Sequence, residues 1–459
     1  MNRTETIHRL LTEVELPTEE EILPKALEGE KDVRPAGWLR FETGDLTEDQ
    51  EMKNLETVVS LLQTARQGME KIDARLVEAI QGIHAHWGEA PQEAPQGDSI
   101  LAKIDAMLAA KMEQVDQLVR GCRFHGRGLL DGQSGLTGWG EGVDFIRGGP
   151  DTQSSPVEGY EVKMESLPTR GYLLGSVPVD EDWIRAETEI VLTEGDRFVR
   201  FRPTKDMGPQ EFVQGLNRTL MEQGLSLEAG LTRQGRLVIR HVQYGSQPRF
   251  KGCSRSTPLL SRKPGRLEWN RRGRDIQGTL GGEPAFGMGR VLMGYLDNRH
   301  TAELAVAWRG DLAPAARETV VHVIQNGLRF QDAAGHGGEE DTGGMARLSL
   351  PALAGRNLGR WVDTFHGFSS LSKVRVEGWR DALDGLLMLY AVSGEMEEWK
   401  ERVSIWIERY QNRAMAVLRR GRSGRSTDGE AVAPKTLGAK KPEVAKDMAE
   451  QFRRHLVAG

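Results

Sequence analysis

Asn54 to Ile83 reads NLETVVSLLQTARQGMEKIDARLVEAIQGI, and Val376 to Leu418 reads VEGWRDALDGLLMLYAVSGEMEEWKERVSIWIERYQNRAMAVL. Both segments carry apolar residues at alternating steps of three and four, the spacing of an amphipathic helix with a seam. In the first segment the stripe is Leu55, Val58, Leu62, Ala65, Met69, Ile72, Leu76, Ala79 and Ile83. An isolated helix of this kind is marginal in water, so each stripe needs a partner. Two such helices far apart in sequence predict a chain that runs out and back, with what lies between them as an insert.

Working outward, GEAPQEAPQG at Gly88 to Gly97 is a turn-forming break. A second helix follows, capped by Asp98 or Ser99, with the stripe Leu101, Ile104, Leu108, Val115, Leu118 and Cys122. Two helices joined by a short loop predict a helical hairpin. After Gly126 the segment RGLLDGQSGLTGWGEG is too rich in glycine for a helix. From Gly159 to Gly310, YEVKME, EIVLT, RFVRFR, RLVIRHV and AELAVAW read as strands between turns. One amphipathic helix interrupts them at Pro209 to Gln223, with Phe212, Val213, Leu216 and Leu220 facing inward. The expected class is therefore α+β, an elongated helical domain from both ends with a β-rich insert.

The expected boundaries are an acidic segment at 1–45, the first helical part at 46–150 and the β-rich insert at 151–345. The second helical part follows at 346–418, then a basic Gly/Ser-rich linker at 419–441 and an amphipathic helix at 442–459. The first segment is broken by Pro17, Pro24 and Pro35, leaving room only for short turns such as Glu5 to Val14. The last helix places Val444, Met448, Phe452 and Leu456 on one face. A helix of that kind beyond a linker docks in a groove or pairs with another helix.

Composition bounds the function. The 459 residues are 38% hydrophobic and 28% charged, with a net charge of −6. That mild acidity speaks against a general nucleic-acid binder. The run Arg255 to Arg274, with Arg262, Lys263, Arg266, Arg271, Arg272 and Trp269, is expected to be a solvated face. No apolar run reaches the roughly 18 residues of a membrane helix. The N-terminus lacks the apolar region of a cleaved secretory signal. Cys122 and Cys253, far apart, form no disulfide framework and are read as free thiols.

No catalytic or cofactor pattern emerges. His84 and His86 stand two apart and do not share a helix face. Gly287-Met288-Gly289 lacks the third glycine and the strand-to-helix switch of a dinucleotide loop. Glu339, Glu340 and Asp341 are too few fixed ligands for calcium and read as a solvated loop. No enzyme, cofactor or metal is expected.

Five stretches resemble bacterial flagellins and their hook-junction relatives, in that family's order. They are Ser60-Leu-Leu-Gln-Thr-Ala65 with Gly68, and Val115 to Asp131, where Phe124, Gly126, Leu129 and Leu130 match and His125 replaces an Asn. Phe212 to His241 and Asp275 to Glu283 with Leu292 and Gly294 follow, and Val444 to Phe452 closes the series. The resemblance implies a helical rod domain and a β-rich insert pointing outward. It also implies export through the flagellar channel and assembly by helix packing, with flagellin or other flagellar subunits as partners. An export chaperone is implied at Val444, Met448, Phe452 and Leu456. Separately, Trp379, Trp399 and Trp406 are large aromatics on the second helical segment, expected either in its core or as contacts for a neighbouring subunit. The prolines of 1–45 stand where the family has a long apolar-striped helix. That departure opens an alternative: a non-polymerising relative, cytoplasmic if it is not exported, that regulates or caps.

Overall fold

The computed structural model describes residues 41, 46–88, 97–255, 259–310, 317–331 and 345–423. The expected terminal helix, the acidic loop at 339–341 and nearly all of segment 1–45 lie outside these residues.

The helices come first. α1 spans Glu48–Gly88, α2 spans Gly97–Gly121, and a helix from near the other end spans Trp379–Ser423. At about 1.5 Å per residue, the first and last of these are each on the order of 60 to 70 Å long. α1 opens on a capping box. Thr47 N–H donates to Gln50 Oε1 at 2.9 Å and Gln50 N–H donates to Thr47 Oγ1 at 3.4 Å. Every stripe residue of α1 is at most 1% exposed, enclosed by α2 and by Trp379–Ser423 in one shared core. Gly68 lets α2 close in: a Cβ there would meet Cys122 Sγ at 2.6 Å. Lys400 crosses to Asp73 of α1 at 2.7 Å. Burial alone would lower its pKa, but Asp73 and Glu397 hold it above the usual lysine value.

After α2 the chain makes a two-stranded ribbon, β1 (Arg123–Phe124) and β2 (Arg127–Gly128). His125 and Gly126 form its turn, both left-handed at φ 48° and 80°. Such turns favour Asn-Gly, and His is among the few other side chains that tolerate this conformation. That accounts physically for His125 at the position where the resembling family has Asn. Leu129 and Leu130, just beyond, are fully buried in the helical core.

The β-rich middle holds two separate cores. Its strands begin before residue 151: β3 is Leu136–Gly140, β4 is Val143–Arg147 and β5 is Tyr160–Ser166. β6 (Arg170–Pro178) leads to α3 (Glu181–Arg185), β7 (Ile190–Glu194), β8 (Arg197–Phe201) and α4 (Pro209–Glu222). β9 (Leu227–Leu231), β10 (Arg236–Tyr244), β11 (Lys251–Ser254) and β12 (Glu268–Trp269) follow. The chain continues through β13 (Gln277–Leu280), β14 (Glu283–Met288), β15 (Val291–Gly294), β16 (Ala305–Trp308) and β17 (Glu318–Gln325). β18 (Leu328–Gln331) and β19 (Met345–Leu348) precede α5, the helix Trp379–Ser423.

Eight strands make one antiparallel sheet in the order β3-β17-β5-β13-β14-β15-β16-β4. The first and last of that order are sequence neighbours joined at Glu141-Gly142, and a Cβ on Gly138 would meet the Phe145 ring at 2.6 Å. The sheet therefore curls until its two ends touch, around Val162, Met164, Leu292, Val306 and Val323 among others. β5 alternates as expected, with Tyr160, Val162 and Met164 buried and Glu161, Lys163 and Glu165 exposed. The second core packs α4 against the sheets β6-β10-β9 and β12-β11-β7-β8. Phe212, Val213, Leu216 and Leu220 of α4 face it. Asn217 pins the helix to β9, exchanging two hydrogen bonds with Ala229 at 2.8 and 2.9 Å.

The β18–β19 ribbon returns to the helices, placing Leu328, Phe330 and Leu348 in their core. α5 begins at Trp379, three residues later than its sequence pattern. Asp381 accepts hydrogen bonds from the backbone N–H of Glu377 and Gly378, which leaves those two residues outside the helix. At the other end α5 runs on to Ser423, into the segment expected as linker. The class is mixed α+β with a β-rich middle. No helix of the described residues is long and apolar enough to cross a membrane.

Candidate interaction surfaces

The three tryptophans singled out on α5 are engaged within the chain. Trp399 is buried in the helical core, with the Arg402 guanidinium 5.0 Å from its ring centre. Trp379 and Trp406 are half-buried and pack against that same core. Val444, Met448, Phe452 and Leu456 lie outside the described residues. The apolar surface that α5 does present is Ile405, Met415 and Leu418, each half-exposed or more. The period-of-seven reasoning missed these residues because they fall off the main seam.

The eight-stranded sheet is clamped beside α5. Trp361 covers the outer patch of Val291, Ala305 and Ala307 and donates from Nε1 to Glu395 of α5 at 3.1 Å. Arg402 of α5 reaches Glu303 at 3.1 Å, and Arg147 lies 3.9 Å from Glu398. Beneath them Arg290 and Asp363 form an ion pair at 2.6 Å, both side chains only 11% exposed. Arg290 also donates to the carbonyls of Trp308, Arg360 and Val362. The other oxygen of Asp363 accepts Tyr244 N–H at 2.8 Å, so one carboxylate joins the end of β10, the start of β15 and the loop before α5.

The basic run folds into an aromatic face on the smaller β unit. The register places Trp269, Lys251, Thr193 and Phe198 in one row across β12, β11, β7 and β8. Opposite residues in antiparallel strands share a face, and here Trp269 and Phe198 are both more than half exposed. Arg249 and Lys251 sit 4.6 and 4.3 Å from the Trp269 ring centre, a cation–π clamp. Burial first, then Arg272, lowers the Arg249 pKa from its usual value. Arg271 engages Tyr172, and Arg255 pairs with Glu189 at 3.1 Å. Two cations of the run, Arg255 and Arg271, are thus held by partners on their own surface. Phe198, Arg249 and Lys251 lie outside the run, so only strand pairing reveals this face.

A cleft of about 800 Å³ separates α4 from the start of α5. Gln214, Asn217 and Arg218 line one side, and His366, Trp379 and Asp381 line the other. His366 Nδ1 lies 2.6 Å from Asp381 Oδ1 and 3.4 Å from Asp384 Oδ2. Burial pushes the Asp384 carboxyl up to about 6, against the pull of the Phe365 and His366 backbone N–H groups. Sequence inspection missed this trio because His366 stands in a loop and nothing in its spacing marks the contact.

The remaining candidates resolve simply. His84 hydrogen-bonds to Tyr390 of α5 at 2.7 Å. Gly287 and Gly289 belong to the β14–β15 ribbon, with no helix following. Both thiols are buried; burial raises Cys122 to about 11 and Cys253 above its usual value.

No protein-family model matches the chain, and no curated protein matches it. Among solved structures it is similar to a D1-D2-D3 fragment of the flagellar cap protein FliD from Escherichia coli. The TM-score is 0.28 and the identity 8%, over 49% of this chain and 64% of that one. A D2-D3 fragment of the same protein gives 0.27 and 10%, over 41% and 98%. FliD (HAP2) from Pseudomonas aeruginosa PAO1 gives 0.25 and 11%, over 42% and 84%. The chain spans 64% of the length of the first of these, and likeness at this level leaves function to be argued from the chain's own residues.

Proposed function

We propose that this chain is a structural component of the bacterial flagellum, a flagellin-like subunit or accessory that works by helix–helix packing and without catalysis. The observation that carries the reading is the pairing of α1 with α5. Helices from opposite ends of the described chain share one core, with the β-rich middle lying between them in sequence. This is the layout that the five flagellin-like stretches imply. In this reading the helices form the rod, and the partners are flagellin or other flagellar subunits. The protein leaves the cell through the flagellar channel, and an export chaperone engages Val444, Met448, Phe452 and Leu456.

One observation favours the second reading, a non-polymerising protein that binds flagellin or its chaperone as a regulator or cap. The α1 stripe is closed by the chain's own helices and offers nothing to a neighbour. Light scattering on the full chain, with and without flagellin filament seeds, separates the two. Seeded growth into long polymers supports the filament subunit. A monomer that seeds leave unchanged, but that forms a defined complex with flagellin, supports the regulator. Neither growth nor a complex overturns both.

A further inference from the structure

The start of α5 buries a carboxylate against a histidine at the edge of the cleft beside α4. Asp384 is fully buried, and His366 is its one ion-pair partner among the described residues. Asp381, one helical turn earlier, directs a second carboxylate to the same imidazole nitrogen.

The three donors are also oriented. Asp381 Oδ2 accepts the backbone N–H groups of Glu377 at 3.0 Å and Gly378 at 2.8 Å, which turns Oδ1 toward His366. Asp384 Oδ1 accepts Phe365 N–H at 2.7 Å, and Oδ2 accepts His366 N–H at 3.0 Å, each oxygen keeping a lone pair. Carboxylates held in this way by outer donors are characteristic of metal ligands. The nearest donor atoms of the three side chains all lie within 4.8 Å of one another.

We propose that His366, Asp381 and Asp384 bind one divalent first-row transition ion of the zinc class, with its open coordination position toward the cleft beside α4. One imidazole and two carboxylates suit such an ion, whereas calcium and magnesium ask for more oxygen ligands. A tetrahedral ion with bonds of about 2.0 to 2.1 Å sets neighbouring donors roughly 3.3 Å apart. The 3.4 Å separation of His366 and Asp384 already meets this. The 2.6 Å contact with Asp381 opens by less than about 1 Å as the shared proton leaves. The His366 side chain is 46% exposed, so its ring has room to make that shift. The ion would tie the loop at residues 364–368 to the first turn of α5. This inference is independent of the flagellar reading.

The test is calorimetric titration of the full, untagged, chelator-stripped chain with zinc chloride, repeated with magnesium chloride and followed by cobalt(II) absorption. The expected result is saturable zinc binding at the site, a rise in Tm, and a cobalt spectrum of low coordination number. His366→Ala changes a half-exposed loop side chain and is expected to keep the circular dichroism spectrum while weakening zinc at least about tenfold. Asp381→Asn should weaken it as well. No saturable zinc binding by the wild type, or binding unchanged in His366→Ala, overturns the proposal. Magnesium binding as tight as zinc overturns it too.

Discussion

α1 and α5 are the same kind of helix in sequence and bury their seams in one core, but they differ in what surrounds them. α1 lies between α2 and α5, and every residue of its stripe is closed off by the chain itself. α5 lies at the side. One face joins α1, the sheet clamps another near Glu395 and Arg402, and toward its C-terminal end Ile405 and Met415 remain 58% and 52% exposed. The lesson is that a seam pattern tells which residues seek a partner but not how many partners a helix has. That number depends on the helix's place among the others.

The largest effect is expected where the sheet is clamped beside α5. Arg290→Ala leaves Asp363 buried without its cation, and losing one member of a buried pair costs about 3 to 5 kcal/mol. Urea unfolding of the variant should show that loss. A cost below about 1 kcal/mol would mean that the sheet and α5 are not coupled through this pair.

Next comes the helix contrast itself. Leu62→Ala in the closed stripe of α1 should cost about 2 to 5 kcal/mol, while Ile405→Ala on α5 should stay within about 0.5 kcal/mol. Equal costs in the isolated chain would erase the distinction. If the filament reading holds, Ile405→Glu should leave the monomer stable yet reduce seeded growth in light scattering.

A smaller effect belongs to the loop that carries Glu303 to α5. Glu283 accepts hydrogen bonds from the backbone N–H groups of Arg299, His300 and Thr301 and from the Thr301 hydroxyl. Burial pushes its carboxyl up, but these bonds outweigh burial and hold it below the ordinary 4.5. A depressed folded-state pKa means stabilisation that is present above the unfolded value and lost as pH falls through the folded one. Wild type should therefore lose stability below about pH 4.5 faster than Glu283→Gln, which thermal melts across pH 3 to 6 would show. Parallel curves would remove Glu283 from the account. The smallest effect is at the turn after α2. His125→Asn suits the left-handed backbone better and should raise stability by a few tenths of a kcal/mol, read as a small shift in Tm. A clear loss would mean that the His125 ring, 4.5 Å from that of Phe124, matters more than the backbone.

Much of the local structure was legible. The α1 stripe, the α4 face and the alternation of β5 each repeat a period that burial enforces residue by residue, and all three stand in the structure. The candidate sites were less so. Trp379, Trp399 and Trp406 carry the same apolar signal whether they face a core or a partner, and here they pack against the core. The Trp269 clamp, the Asp363 junction and the His366 trio join residues from separate segments, and their spacing carries no period to find.

By itself the sequence marked the three long helices, α4 and five of the strands, because periodicity and turn chemistry act within a few residues. It also set the free thiols and the absence of a long apolar membrane run. Tertiary structure decided the rest: that the eight-stranded sheet curls end to end, that the middle divides into two cores, and that α5 packs on both α1 and the sheet while leaving Ile405 and Met415 exposed. Those outcomes depend on which distant surfaces meet, and burial against a distant partner is a property of the assembled chain that no local window of residues contains.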